Sequence, residues 1–260
     1  FTRKIKFRHM QHLLRKQIIT GALLLCISFA SMAQRGEVYQ PFHDELPYYL
    51  GMSIGINNSF FNFNRNAEFS NPAAGTAYAI SPNNNLALNL GLTGTLRLSK
   101  HTLLRLNPTV LIAGSKNIYT YKEVGSPDVK TMNISSAIIN IPLALKIESD
   151  RYNAFHFRDL MRHYVFIGGK IDYDLLGSNK AVITSNGLGS NRTPYPNTFK
   201  GIDYGFEMGL GLSYYLQYAT ISPEVKFSYG LGNLNKGDPL LSSIRNINGN
   251  FVYFTIHIEN

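Results

Sequence analysis

Thr255, His257 and Glu259 alternate along the last stretch of the chain. On a β-strand, residues two apart share a face, so a hydroxyl, an imidazole and a carboxylate stand in line there. These are the side-chain types of a nucleophile, a base and its orienting acid. Same-face neighbours on one strand more often belong to a polar packing network, and we read the trio that way. The other histidines outside the first segment are His43, His101, His156 and His163. They are scattered over a lead-in, a turn and the flanks of a longer link, which gathers no second trio. Asp172 and Asp174 share a face as cation ligands would, but Lys170 on the same face neutralises them. The sequence has no H-E-x-x-H and no P-loop. No catalytic residue, metal site, cofactor or small-molecule substrate is therefore expected, and the chain reads as a non-enzyme. The rival class is a lipid-modifying membrane enzyme, which needs a Ser/His pair high on a lipid-facing side, and none is found.

The elements that carry these residues are strands. From Tyr48 onward the hydropathy has period two. Strand one is expected over about 48–61, strand two over 86–99, strand three over 102–121 and strand four over 132–148. Strand five follows over 163–176, strand six over 201–215, strand seven over 219–231 and strand eight over 250–259. Strand two has the cleanest pattern: Leu86, Leu88, Leu90, Leu92, Leu96 and Leu98 lie opposite Asn89, Gly91, Thr93, Thr95 and Arg97. Connections alternate between short turns and long loops rich in Asn, Gly, Ser and Pro, as in outer-membrane barrels whose short turns face the periplasm. The exception is the link 149–163, which holds Phe155, Phe157 and Leu160 and has room for a short helix.

Parity alone leaves two barrels open. A lipocalin-like barrel turns its apolar face inward, and a membrane barrel turns it outward. Three features favour the membrane arrangement. The polar face mixes long charged side chains with Gly, Ser and Thr, which suits a narrow eight-stranded lumen. Its charges nearly balance: Arg97, Arg105, Lys146, Lys170 and Lys226 against Glu148, Asp172, Asp174, Asp203, Glu207 and Glu224. Buried charges persist only when paired, so these residues should form an interior structural network. Aromatic residues also gather near strand ends, as interfacial girdles do: Tyr48, Tyr49, Phe60, Phe61, Tyr119, Tyr121, Tyr173, Tyr204, Tyr214, Tyr215 and Tyr229. The fold expected is all-β: an eight-stranded antiparallel transmembrane up-and-down β-barrel over 48–260.

Before the strands lies a different composition. Arg3, Lys4, Lys6, Arg8, Arg15 and Lys16 precede an apolar run from Gln17 to Ala30, and Ser31-Met32-Ala33 supplies small residues. This is the pattern of a secretory signal peptide over 1–33, cut between Ala33 and Gln34. Met10 would open a signal of ordinary length. Residues 34–47 form a polar periplasmic lead-in. The formal charge of +9, less those six cations, leaves +3 with both signs dispersed. No basic stripe remains, which argues against nucleic-acid binding. The single cysteine, Cys26, lies within the signal, so no disulfide framework is available. The chain is expected in the outer membrane of a Gram-negative bacterium, both termini periplasmic, in contact with lipid and lipopolysaccharide.

Several segments together resemble a known family. Tyr49-Leu-Gly-Met-Ser-Ile-Gly-Ile-Asn57 with Phe60-Phe61-Asn62-Phe63 is similar to its opening strand, and Ile139-Asn-Ile-Pro-Leu-Ala-Leu-Lys146 to its IPLxLK strand. Tyr164-Val-Phe-Ile-Gly-Gly169, Gly205-Phe-Glu-Met-Gly-Leu-Gly-Leu212, and Tyr215-Leu-Gln-Tyr218 before Ile221-Ser-Pro-Glu-Val225 follow in family order. Over about 44–260 the chain thus resembles the PorT (SprT) family of Bacteroidota outer-membrane barrels. The resemblance implies a component of the type IX protein secretion system, linked to gliding motility or protease export, with other secretion components as partners. It implies no catalytic or binding residue. The chain departs from the terminal aromatic of many barrels by ending Ile258-Glu-Asn260, with Phe254 as the inner substitute. The alternative is a generic surface barrel serving adhesion or envelope integrity.

Overall fold

Strict alternation over a dozen residues gives each strand two unlike faces, and closing the sheet into a tube separates them. The computed structural model describes residues 40, 43–71, 73–126, 128–152, 160–176, 181–185 and 192–260. The signal segment and the cut between Ala33 and Gln34 lie outside the described residues. The strands are β1 (Tyr48–Arg65), β2 (Ala77–Pro82), β3 (Asn85–Arg97), β4 (Thr102–Leu106), β5 (Thr109–Glu123) and β6 (Val129–Glu148). They continue as β7 (Met161–Asp174), β8 (Ala181–Ser185), β9 (Arg192–Tyr195), β10 (Ile202–Tyr215), β11 (Thr220–Gly230) and β12 (Ile244–Glu259).

Antiparallel pairing runs round a closed cycle of eight walls. β1 pairs with β3, β3 with both β4 and β5, and these with β6. From β6 the ladder continues through β7, β10, β11 and β12 back to β1. The third wall, expected as one strand over 102–121, is broken between β4 and β5 at Asn107-Pro108. Proline has no N–H to give the ladder, but its carbonyl still accepts from Leu92 N at 3.0 Å. The Asn107 amide fills the gap, donating to Leu92 O at 2.8 Å, Thr93 Oγ1 at 2.9 Å and Ser53 Oγ at 3.1 Å.

The apolar parity faces outward. Leu50, Met52, Leu86, Leu88, Leu92, Ile167, Ile171 and Leu210 are each more than half exposed, an arrangement that only a lipid surround makes favourable. Outward Tyr48, Tyr214 and Tyr218 stand near the termini, and outward Tyr173, Tyr204 and Tyr229 near the opposite rim. On β10, Tyr204 and Tyr214 bound the outward face. At about 3.3 Å per residue and a tilt of about 40° they are about 25 Å apart in height, the thickness of an outer-membrane apolar band. Four of the other aromatics expected in the girdles point elsewhere. Tyr49, Tyr119, Tyr121 and Tyr215 are buried inside, because they sit on the inward parity.

Beyond the loop-end rim the inward face changes character. Along β6 the inward positions run from Glu148 and Lys146 near the termini, through Asn140, to Met132 and Ile134. β12 shows the same gradient from Glu259 and His257 to Ile247 and Ile244. The connections expected as long loops supply further strands: β2 pairs with β5, β8 with β6, and β9 with β8. Tyr119, Tyr121, Phe199, Leu241, Ile244 and Ile247 are among the residues that form an apolar core beneath them. There the wall meets water rather than lipid, so the ordinary apolar-inside rule of a soluble sheet returns. Each such fully buried side chain contributes about 1.5–3 kcal/mol.

Candidate functional site

The lumen holds ionised side chains at the termini end and midway along the walls. Glu224 on β11 is the hub. It accepts from Arg105 Nη2 of β4 at 2.5 Å and from the Tyr164 hydroxyl of β7 at 2.9 Å, with His257 Nε2 of β12 at 3.4 Å. None of these walls is adjacent to all the others, so the cluster spans the tube. Arg105 lies over the rings of Phe166, at 4.6 Å, and Tyr164, at 5.6 Å. The two rings lie against the wall because glycine faces them: a Cβ on Gly209 would come within 2.6 Å of Phe166, and one on Gly211 within 2.4 Å of Tyr164.

Glu148 is the second hub, held by Arg162 at 2.5 Å, Arg97 at 3.2 Å and Lys146 at 3.6 Å. Lys146 Nζ also sits 4.1 Å above the Tyr164 ring, which links the two hubs. Lys226 pairs with Glu207 at 3.0 Å and lies over Tyr253. Lys170 pairs with Asp172 at 2.5 Å, and Asn140 Nδ2 donates to Asp172 at 2.6 Å. Excellent geometry and several partners per ion are what buried charge requires.

Two expected members are anchored on backbone N–H groups. Asp174, at the end of β7, accepts from the backbone N–H of Ala137 and Leu176 and caps a strand end. Asp203, at the start of β10, accepts from the N–H of Tyr204 at 2.9 Å and Gly232 at 3.0 Å. Sequence reasoning missed Arg162 by starting its strand at His163; the inward parity of Lys170 and Asp172, extended to 162, was the signal. It also left Tyr164 out of the network, naming it only within the segment Tyr164–Gly169 that carries the family resemblance.

The Thr255–His257–Glu259 trio is not wired as a relay. His257 Nδ1 meets Thr93 Oγ1 at 3.1 Å and its Nε2 faces Glu224, while Glu259 accepts from Thr95 at 3.4 Å. Thr93, His257 and Glu224 are all buried at or below 3% exposure, and Glu224 is engaged by Arg105. Among the described residues, no three His, Cys, Asp or Glu side chains gather as metal ligands would.

The lead-in closes the termini end. Asp44 accepts from Arg162 Nη2 at 3.0 Å and Arg151 Nη2 at 3.1 Å, while Arg151 stacks 3.8 Å over Tyr215. His43 is buried between Tyr49 and Tyr215, ring centres 4.6 and 5.4 Å away. Burial opposes ionisation of Asp44. The side chains of His43 and Arg151, with the Arg162 and Arg151 charges, nevertheless hold its carboxyl well below the usual range. In the link 149–163, Tyr152 bridges to Met161 and Leu160 is buried. Phe155, Phe157 and the helix expected near them fall outside the described residues, as does His156.

Comparison with known proteins follows from this geometry. No curated protein matches the chain. Among solved structures it is similar to Ail, the attachment invasion locus protein of Yersinia pestis, with 10% identity and a TM-score of 0.39, over 83% of this chain and 100% of that one. It is also similar to Neisserial surface protein A, with 10% identity and a TM-score of 0.36 over 80% and 96% of the two chains. The outer membrane protease OmpT from Escherichia coli is similar at 9% identity and a TM-score of 0.33, over 82% and 95%. Residues 36–236 match the family described as outer membrane protein beta-barrel domain. That match takes in most of the chain, so the chain belongs to this family and is an outer-membrane β-barrel protein.

Proposed function

We propose that the protein is a non-catalytic structural component of a protein-export machine in the outer membrane, with an accessory or assembly role in type IX secretion. The observation that supports this best is the filled lumen. Arg105, Glu224, Tyr164 and His257 interlock across the tube at mid-height, and an eight-stranded barrel packed in this way offers no conduit. Work must then be done at the ends. The termini end presents the Asp44, Arg151 and Arg162 closure, which we place in the periplasm. The opposite end carries the folded layer of β2, β8 and β9. The ordered resemblance of five segments to the PorT family favours secretion among the tasks such a plug could serve. Outer-membrane lipid and lipopolysaccharide surround the barrel, and other secretion components are its protein partners.

Deletion of the gene should abolish export of proteins that carry the matching C-terminal signal, and a chain-encoded barrel should restore it. Unchanged export would overturn the reading. The folded loop-end layer favours one second reading, a surface barrel in adhesion or envelope integrity. In that case deletion alters attachment or detergent sensitivity and leaves export intact.

A further inference from the structure

The lead-in sits over the termini end of the barrel on one strong anchor. Arg151 Nε and Arg162 Nη2 each donate to Asp44 Oδ2 at 3.0 Å, and Arg151 Nη2 reaches Oδ1 at 3.1 Å. The two guanidiniums are nearly enclosed, with side chains 10% and 3% exposed, whereas that of Asp44 keeps 35%. The carboxylate therefore enters a basic pocket from its open, water-facing side. The adjoining wall of the pocket is aromatic, formed by the Tyr49 and Tyr215 rings that flank His43.

Much else about the segment opposes its docking. Gln40 has a φ of +49°, the only non-glycine of the described residues in left-handed backbone, a conformation that costs an L side chain. His43 is buried, yet neither of its ring nitrogens makes a hydrogen bond, and Nδ1 stays 3.9 Å from Asp44. Gln40 Nε2 is enclosed without a partner as well. Polar atoms held this way are costly, and these regain water only when the segment lifts off. The other bonds of Gln40, from Thr220 Oγ1 to its Oε1 at 2.9 Å and from Arg151 to its carbonyl at 3.1 Å, exchange for bonds to water at small net loss.

What the segment leaves behind is a shaped site. With Asp44 withdrawn, Arg162 shares Glu148 with Arg97 and Lys146, and Arg151 lies 3.8 Å over Tyr215. Enclosed guanidiniums of this kind call for a carboxylate, which they grip with paired N–H groups. We infer that the lead-in is a releasable strap, and that the pocket it vacates binds an acidic segment of a partner protein that carries a flat ring just before its carboxylate. The lead-in itself displays that chemistry: a ring between Tyr49 and Tyr215, then a carboxylate between Arg151 and Arg162. Strap and partner alternate in one pocket, so docking requires no new cavity. The site stands on the geometry of the mouth and not on the export role proposed above.

The test uses the full-length folded barrel in octyl glucoside, a detergent without charge. The variant His43→Gly, Asp44→Asn removes both groups that the strap docks and keeps every pocket residue; heat-modifiable gel mobility reports its folding. The probe is a labelled peptide of residues 40–47, followed by fluorescence anisotropy. It should bind the variant saturably and the wild type at least tenfold more weakly, because the tethered strap competes at high effective concentration. The same peptide with Asp44→Asn should bind the variant at least tenfold more weakly, and adding Arg151→Gln to the barrel should weaken the original peptide as much. The unrelated peptide Gly-Ser-Tyr-Glu-Ser-Gly should compete, and its glutamine counterpart should not. No binding to the folded variant, equal binding to the wild type, or binding indifferent to the carboxylate would overturn the inference. Binding of the chain's own peptide without competition from the unrelated one would assign the pocket to the lead-in of a second copy and overturn the partner. In the wild type, saturating Gly-Ser-Tyr-Glu-Ser-Gly should accelerate amide exchange in residues 43–46. Unchanged exchange there would sink the strap even if the variant failed to fold.

Discussion

Arg105 and Glu224 lie 119 residues apart in sequence and on walls that do not touch, yet the guanidinium and carboxylate meet at 2.5 Å across the lumen. Both are at most 3% exposed. Removing one partner leaves the other as an uncompensated buried charge. Arg105→Met should destabilise the barrel by about 3–5 kcal/mol in urea unfolding from lipid vesicles. In the double variant Arg105→Met, Glu224→Met, much of that loss should return. An additive double variant would show that the two ions do not depend on each other.

The outward leucines make a separate prediction. Leu90 lies at mid-strand on the lipid-facing parity of β3, opposite Ile54 and Val110 on its neighbours. Leu90→Arg should cost about 2–4 kcal/mol of folding stability in bilayers. Thr93→Ala, on the inward face of the same strand, should not show the dependence on bilayer thickness that Leu90→Arg shows.

Gly211 is required by a ring rather than by a turn. Its Cβ position falls 2.4 Å from Tyr164 atoms and 2.9 Å from Pro223 O. Gly211→Ala should therefore displace Tyr164 from Glu224 and cost about 1–3 kcal/mol, the range for overpacking. Adding Tyr164→Ala to Gly211→Ala should make the second substitution less than additive, because the clashing ring is gone. Full additivity in urea unfolding would contradict the contact.

Docking of the lead-in is predicted to depend on acid. The Asp44 carboxyl is depressed below its ordinary value of 3.8. Its contribution is therefore complete above that value and is lost as pH falls through the lower folded value. Amide exchange in residues 43–46 should stay slow at neutral pH and accelerate in strong acid. Asp44→Asn should give fast exchange already at neutral pH. Slow exchange in the variant would mean that Arg151 and Arg162 do not hold the segment.

The faces of the strands were legible residue by residue. Alternation is a local property of an extended backbone, so Leu86 to Leu98 and Arg97 to Thr93 sort onto opposite sides before any strand meets another. Charge balance on the inner side told which side was inner, because unpaired ions cannot be enclosed. What no local pattern contains is how far one strand slides against the next and where the sheet closes. These decide that Arg105 meets Glu224, that His257 faces Thr93 rather than its own strand's Glu259, and that Asp174 caps a strand end. The depth of the membrane is likewise set by the assembled barrel. Above its rim the outside becomes water, so inward Tyr119, Tyr121 and Ile247 build an apolar core on the same parity that lower down carries charge. A chain read one strand at a time has no height, and only the closed barrel gives it one.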